Sequence, residues 1–373
     1  MSTAHAKLSA STSHRWLHCP GSVAASEKIP ARSSFAADEG SAAHELAEIA
    51  LNDGKSDCSY LIGQTLPDNN AFTVTREMVG YVNEYLHIIK MIGGEQWYER
   101  RVDFSAWVPD GFGTSDCIAY KDGTLYVIDL KYGKGLPVTA PENPQGILYA
   151  LGAYAEMEFT HDIKSVKIII VQPRRDSVSE WEISVVELLK RGEWIAQRAQ
   201  LAVSPDAPRV PGEDACQWCP AKATCSAMLE KVHAVTAKDF DALPPADTLT
   251  DAQVGEALKA KKMILGWLDA VETYARERAQ SSEGFPGFKL VAGRGLREWA
   301  DEEQAKDALT AELGDAAFEH KLLSVAKAEK LLSKDQKDAI KALIVKREGA
   351  PTLVPDDDPR QAIGVSASDF DDF

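Results

Sequence analysis

The sequence has few of the patterns that direct a protein to a membrane or out of the cell. It contains no run of 18 apolar residues, so we expect no membrane-spanning helix. Its N-terminus has no basic segment followed by an apolar one, so we expect no secretory signal and a cytoplasmic protein. A Walker A sequence is also absent, so no motor function is indicated.

Positive charge is scarce. The 373 residues include 41 lysines and arginines against 57 aspartates and glutamates, which gives a formal net charge of −16. This charge opposes non-specific binding to DNA, because that binding depends on basic contacts to phosphates. A nucleic-acid substrate would therefore need a local basic track.

One stretch, residues 111–135, carries the strongest chemical signal. Asp122-Gly123 lies between two strand-forming runs and predicts a two-residue hairpin turn. Lys131 lies two residues beyond Asp129 and therefore projects from the same face. The turn predicts these opposed pairs: Lys121 with Thr124, Tyr120 with Leu125, Ile118 with Val127, and Asp116 with Asp129.

Two adjacent carboxylates and a lysine suit a hard divalent cation, Mg²⁺ or Mn²⁺. A water beside such an ion can become a nucleophile, and the lysine can stabilise charge on a phosphate. The group therefore indicates metal-assisted phosphodiester hydrolysis. The alternative is a strand-end Asp116 and a solvated Asp129–Lys131 pair, which the apolar neighbours on both strands disfavour.

Other polar residues could join this group. His44 lies on a predicted helix over residues 38–51, and Glu48 stands where a zinc protease of the His-Glu-x-x-His type would have its second histidine. Gln145 and Tyr149 share one face of a predicted helix over residues 143–158 and could hold a phosphate or a base. Both helices are also compatible with plain packing roles, and Glu99 is compatible with either the site or solvent.

These residues together resemble the PD-(D/E)xK nuclease superfamily, in particular its RecB-like branch. The resemblance rests on four motifs in order: His44, Gly113-Thr114-Ser115-Asp116, Asp129-Leu130-Lys131, and Gln145 followed by Tyr149. It implies a restriction-endonuclease-like α/β fold, with a mixed central sheet flanked by helices. It also implies a metal held by His44, Asp116 and Asp129, with Lys131, Gln145 and Tyr149 completing the catalytic set.

Four of the six cysteines form a separate pattern. Cys216, Cys219 and Cys225 have Cys-x₂-Cys-x₅-Cys spacing, and Cys19 is the best candidate for a fourth ligand. Cys58 is a weaker candidate. The spacing leaves structural Zn²⁺ and a [4Fe–4S] cluster open, since both take four ligands. The pattern resembles the iron–sulfur staple of AddB-type helicase-nucleases and CRISPR-associated exonucleases, which implies [4Fe–4S].

We expect three regions. A nuclease domain closed by the four cysteines would span residues 1–230, and a mainly helical C-terminal extension would span residues 231–354, with helices near 251–280, 302–312 and 325–346. An acidic tail over residues 355–373 should be disordered. The tail resembles those of single-stranded-DNA-binding proteins that recruit partners, here a recombination or replication protein; a solubilising tail is the alternative.

The sequence therefore predicts a Mg²⁺- or Mn²⁺-dependent deoxyribonuclease. The resemblance favours an exonuclease encoded by a phage, acting in DNA replication or recombination in the host cytoplasm. The alternative is a non-catalytic DNA-binding or assembly protein that keeps the fold. We further expect a mobile loop near the substrate at residues 133–144, and a phosphate contact at Arg174-Arg175.

Overall fold

A computed structural model describes residues 6–30, 34–237, 251–280, 285–288, 290 and 302–313. Residues 1–285 form one compact unit, and residues 286–373 form a second. In the second unit, the described residues include one helix, α10, over Glu302–Leu313. The predicted helix at 325–346 and the predicted acidic tail lie outside the described residues.

The first unit is built on one five-stranded sheet with strand order β1-β2-β3-β4-β5. β3 and β4 are parallel, and the other neighbouring pairs are antiparallel. The sheet is therefore mixed, as predicted. The strands are β1 (Glu95–Asp103), β2 (Phe112–Lys121), β3 (Thr124–Leu130), β4 (Ser165–Gln172) and β5 (Ser177–Ser184).

Helices cover both faces of this sheet, which confirms the predicted α/β class with a mixed central sheet flanked by helices. Helix α5 makes the crossover between the parallel strands β3 and β4. The helices of the first unit are α1 (Ser13–His18), α2 (Ser22–Ser26), α3 (Phe35–Asn52), α4 (Arg76–Ile92), α5 (Pro144–Met157), α6 (Val185–Val203), α7 (Glu213–Gln217), α8 (Ser226–Ala237) and α9 (Asp251–Gln280).

The β2–β3 hairpin has the predicted register. Asp122 and Gly123 both have positive φ, 51° and 85°, as a two-residue turn of this type requires. Lys121 pairs with Thr124, and the ladder continues to Cys117 and Ile128. The next opposed residues are Asp116 and Asp129, so the two carboxylates lie where the ladder ends.

The central strands are apolar on both faces because each face packs against helices. Ile118 and Val127 pack in one core with α5 and α6, while Cys117 and Ile128 pack in the other with α3 and α4. This double burial explains why both strands have continuous apolar runs rather than alternation. Any polar group at their ends needs a partner, since unpaired burial of a charge costs free energy.

Helix starts in this unit follow ordinary capping chemistry. The side chains of Ser34, Thr75 and Asn143 each accept a hydrogen bond from a backbone N–H in the first turn of α3, α4 and α5. Ser184 and Glu187 form a reciprocal capping box at the start of α6. These caps fix the first residues of the helices that carry His44 and Gln145.

Helix α9 has the bounds that the sequence predicts and belongs to the first compact unit. Its Met263 packs with Cys216, Met228 and Val232 in a small third core. None of the helices in the described part of the chain has the length and apolar character needed to cross a bilayer.

Two helical glycines differ in the space around them, and we expect opposite effects on stability. A Cβ at Gly152 in α5 would lie 2.9 Å from Val102 Cβ and 3.2 Å from Asp103 O, whereas Gly80 in α4 is exposed with nothing within 4 Å. Gly152→Ala should therefore lower the free energy of unfolding by about 1–3 kcal/mol through overpacking. Gly80→Ala should raise it by up to about 1 kcal/mol through helix propensity. Chemical denaturation of both variants measures this, and equal values would contradict the packing of α5 on β1.

Candidate metal centre

A histidine and an aspartate meet where helix α3 crosses the end of the hairpin. His44 Nδ1 lies 3.3 Å from Asp116 Oδ1. The other oxygen of Asp116, Oδ2, accepts a hydrogen bond of 2.7 Å from the backbone N–H of Leu130. Asp116 therefore joins α3 to both strands of the hairpin.

Glu99 completes this group, and the sequence alone left its position open. Ligand atoms of His44, Glu99 and Asp116 all lie within 4.8 Å of one another. Glu99 has a φ of 44°, which is uncommon for a residue with a side chain. In a regular strand, residues five positions apart point to opposite faces. Trp97 and Val102 nevertheless pack in the same core, so the alternation of side chains along β1 reverses once between them. This reversal, at Glu99, brings its carboxylate to the site.

Burial and mutual charge shift the pKa values of this group. Burial alone would lower the pKa of His44, but the Asp116 carboxylate outweighs it and raises that pKa to about 9. Burial would likewise raise the pKa of Asp116, yet His44 and neighbouring donors hold it below its usual value. Burial, followed by repulsion from Asp116, raises the pKa of Glu99 to about 7.

The other predicted residues of the centre form a series of contacts next to the group of His44, Glu99 and Asp116. Lys131 Nζ lies 2.8 Å from Asp129 Oδ2 and donates a hydrogen bond of 2.9 Å to Gln145 Oε1. Gln145 Nε2 in turn donates to the Tyr149 hydroxyl at 3.2 Å. The structure thus brings all six predicted residues of the centre together, with Asp129 against Lys131 rather than in the close group of three.

These residues fit a divalent cation. Burial raises the pKa of Asp129, and the Asp116 carboxylate raises it further, so the two carboxylates repel each other as they stand. The oxygens of Asp116, Asp129 and Glu99 are the ligands that Mg²⁺ and Mn²⁺ prefer, and the His44 imidazole suits Mn²⁺ in addition. Ser115, the neighbour of Asp116 in β2, is buried, and its Oγ has no hydrogen-bond partner among the described residues.

Arg174, for which the sequence predicted a phosphate contact, has partners within the protein in this structure. Its guanidinium pairs with Glu39 of α3, and its Cζ lies 4.7 Å from the centre of the Tyr132 ring. The side chain is only 10% exposed. Arg174 therefore braces α3, the helix of His44, against the residue that follows Lys131.

The four cysteines of the second pattern line one small cavity. The N-terminal segment reaches them by packing on residues 207–210: Gly21 N–H donates to Pro208 O at 2.9 Å, and Val210 N–H donates to Cys19 Sγ at 3.2 Å. Cys58 lies apart, with its thiol 3.1 Å from Asn83 Oδ1, and Cys117 is buried in β2. Cys19 is thus the cysteine that accompanies Cys216, Cys219 and Cys225.

The sulfurs are not drawn tightly together. Within the described residues, no three of them lie within 4.8 Å of one another. Burial raises the pKa of Cys19 and of Cys216, and the neighbouring cysteines of the group raise both further. Ser22 Oγ, buried at the same cavity, has no hydrogen-bond partner in the described part of the chain. The raised pKa values favour neutral thiols, so a cation bound at this cavity would have to displace their protons and hold the thiolates.

Fold and site together define an α/β protein with a candidate divalent-cation centre at the ends of its central strands. The chain belongs to a family described as a protein of unknown function, DUF2800, whose sequence model matches residues 5–361. A solved structure titled "Crystal structure of SSO0001" is similar at 14% sequence identity, over 59% of this chain and 85% of that chain. Its TM-score is 0.26, so this similarity carries no argument about the fold.

We expect the affinity for Mn²⁺ to rise with pH between about 6 and 9. In the ion-free protein the pKa is about 9 for His44 and about 7 for Glu99, so both hold protons at the lower end of this range. A bound ion must displace those protons, and raising the pH removes the competition. Calorimetric titration with Mn²⁺ in buffers of different ionisation enthalpy measures both the affinity and the protons released.

Glu99→Gln should weaken binding and reduce the number of protons released. Glu193→Gln, which changes an exposed glutamate on α6, is the matched control and should leave both quantities unchanged. An affinity that does not change with pH, or equal effects of the two substitutions, would show that the ion does not bind at this group.

Proposed function

We propose that the protein is a Mg²⁺- or Mn²⁺-dependent nuclease that hydrolyses phosphodiester bonds in DNA. One observation carries the proposal. The cation group of His44, Glu99 and Asp116 lies beside Lys131, a partly buried lysine that is held by Asp129 and Gln145. A protein that only binds DNA needs a positive surface, and it has no need of a lysine aligned with acidic ligands.

The ion would be held by His44, Glu99 and Asp116, with Asp129 at the edge of the group. When bound, a divalent cation activates a water molecule and offsets the negative charge of the phosphate. The carboxylates provide the negative charge that attracts the ion, and His44 supplies a nitrogen ligand once its proton has left. Leu130 N–H keeps the Asp116 carboxylate oriented throughout.

Lys131 is suited to stabilise charge that develops on the phosphate. Burial alone would lower its pKa, but Asp129 and Asp116 outweigh that effect and raise it, so the amine stays protonated. Its hydrogen bond to Gln145 fixes the direction of the ammonium group. A preorganised charge of this kind acts most strongly in a water-poor site.

Tyr149 and Gln145 complete the wall opposite α3. Burial raises the pKa of the Tyr149 phenol far above neutrality, so the hydroxyl stays protonated and can donate a hydrogen bond. Gln145 connects this hydroxyl to Lys131. We propose that the pair positions the phosphate of the cleaved strand. The resemblance of the motifs to RecB-like nucleases favours an exonuclease in phage DNA replication or recombination.

We propose further that the four cysteines hold a [4Fe–4S] cluster that ties Cys19 to the Cys216–Cys225 segment. The four cysteines line one small cavity, which supports a shared inorganic group. The resemblance of their spacing to the iron–sulfur nucleases favours [4Fe–4S], with structural Zn²⁺ as the competing account.

The mechanism predicts separate effects for two substitutions. Asp129→Asn is nearly isosteric and should cut cleavage of end-labelled DNA by about 10²-fold or more while leaving DNA binding intact. Lys131→Ala should lower kcat by a similar factor with little change in Mn²⁺ affinity, because its charge acts chiefly in the transition state. Cleavage of single- and double-stranded DNA with Mn²⁺ and with EDTA measures both.

Lys190→Ala, on the exposed surface of α6, is the matched control for the loss of a lysine and should cleave normally. If Asp129→Asn cleaves at the wild-type rate, the hairpin is not an active site, and a non-catalytic DNA-binding or assembly role becomes the better account.

The cluster proposal predicts brown protein after anaerobic purification, with about four iron and four sulfide per chain. Cys19→Ser should lose iron as fully as Cys216→Ser, whereas the control Cys58→Ser should keep it because Cys58 lies outside the cavity. Elemental analysis and absorption spectra measure this. Stoichiometric zinc without iron would contradict the iron–sulfur proposal. Iron retained in Cys19→Ser would contradict only the choice of Cys19 as the fourth ligand.

A further inference from the structure

The segment that follows Lys131, residues 133–138, is fixed along its backbone by side chains of neighbouring elements. Arg175 donates hydrogen bonds to Lys134 O at 3.2 Å and to Gly135 O at 2.6 Å. Gln172 accepts a hydrogen bond of 2.7 Å from Val138 N–H and donates one of 3.2 Å to Leu136 O. The sequence predicted a mobile loop here, but both sides of its tip are anchored.

Gln172 is a buried residue whose polar group serves this segment. It is 2% exposed at the end of β4, and both ends of its amide bond the loop backbone. A buried amide without partners would cost free energy, so these bonds favour one loop conformation. Because Lys131 N–H also bonds Val171 O at 2.8 Å, the loop and the catalytic lysine are anchored to adjacent residues of β4.

The fold does not require the two glycines of this segment. Gly133 and Gly135 have no positive φ, and a Cβ on either would meet nothing within 4 Å. The contrast is with Gly123, whose φ of 85° a side chain would strain, and with Gly113, where a Cβ would lie 2.8 Å from Tyr149. A glycine that the fold does not need still permits close approach of a ligand to the backbone.

The loop exposes two side chains to solvent: Lys134, which lies between the two glycines, and Leu136, which follows them. Lys134 is 59% exposed, and its contact with Glu77, at 3.8 Å between exposed groups, stabilises it little. Leu136 is 52% exposed although its carbonyl is held by Gln172. The anchored carbonyl fixes the backbone from which this exposed apolar side chain extends.

We propose that residues 133–136 form a preformed cradle for a single DNA strand next to the phosphate that is cleaved. This inference rests on the proposed nuclease function and names the part of the chain that recognises its substrate. The sugar–phosphate backbone passes close to Gly133 and Gly135, and Lys134 contacts a phosphate. Leu136 packs against the face of a base.

The choice of a single strand follows from Leu136. A base in a duplex is covered on both faces by its neighbours, whereas an unpaired base has a face that a side chain can cover. Lys134 also places one positive charge within three residues of Lys131, on a chain whose net charge is −16.

The test compares glycine substitutions that the free protein tolerates. Gly133→Ala combined with Gly135→Ala should leave the melting temperature unchanged or slightly raised, because neither methyl group meets an atom and the unfolded chain loses freedom. The affinity for a fluorescein-labelled 20-nucleotide single strand, measured by anisotropy in EDTA, should fall about fivefold or more. The control Gly80→Ala has equally open surroundings on α4 and should not change this affinity.

Two further variants test the individual contacts. Lys134→Ala should reduce the slope of log K against log salt concentration by about 0.7, the value for one phosphate contact on a single strand, and Lys190→Ala should not. Leu136→Ala should weaken single-strand binding about fivefold through the loss of apolar contact with the base, and should leave duplex binding unchanged. Phe159→Ala removes an 89% exposed apolar side chain just beyond α5 and is its control.

The outcomes separate this inference from the proposed function. Cleavage by the wild type with unchanged affinity in the double glycine variant would overturn the cradle and leave the nuclease proposal standing. Weakened binding in that variant without cleavage by the wild type would support the cradle and remove the hydrolytic role. Wild-type protein that neither binds nor cleaves DNA would overturn both.

Discussion

The candidate centre depends on the Asp116 carboxylate, which is bonded from two sides. One oxygen faces His44 of α3 and the other accepts the Leu130 N–H of β3, so a single side chain joins a helix to two strands. The neighbouring pKa shifts follow from this arrangement, because the charge of Asp116 keeps His44 protonated and disfavours ionisation of Glu99.

A second constraint is that polar groups lie at the ends of strands buried on both faces. Water reaches charges at such strand ends only in part, so the side chains there contact one another: Asp129 contacts Lys131, Lys131 donates to Gln145, and Gln145 donates to Tyr149. The ion pair of Arg174 and Glu39 brings two further charged side chains together in the same way. The result is a set of aligned side chains held by the packing of the sheet, which is the condition for electrostatic preorganisation.

The sequence predicted the part of this site that local chemistry controls. Asp122-Gly123 determines the register of the hairpin and therefore the placing of Asp116 opposite Asp129. Glu99 was left open because its position depends on a reversal of strand alternation that no residue pattern shows. The sequence did not predict the pairing of Arg174 with Glu39, because the two residues are 135 positions apart and only the packing of α3 brings them together. Register is local information, whereas ion pairs between distant elements depend on the complete fold.

The contact between Cys19 and Val210 spans 191 residues, and it affects how this unit is made. A ribosome releases the N-terminal segment first, but the segment's docking surface at residues 207–210 emerges only after all five strands have been synthesised. Closing so long a loop costs chain entropy that local pairing, such as the hairpin, does not. The hairpin can form early in synthesis, whereas Cys19 and Val210 come together late. Chains truncated before Ala207 would thus contain every residue of the candidate metal centre and yet lack the surface on which the N-terminal segment docks.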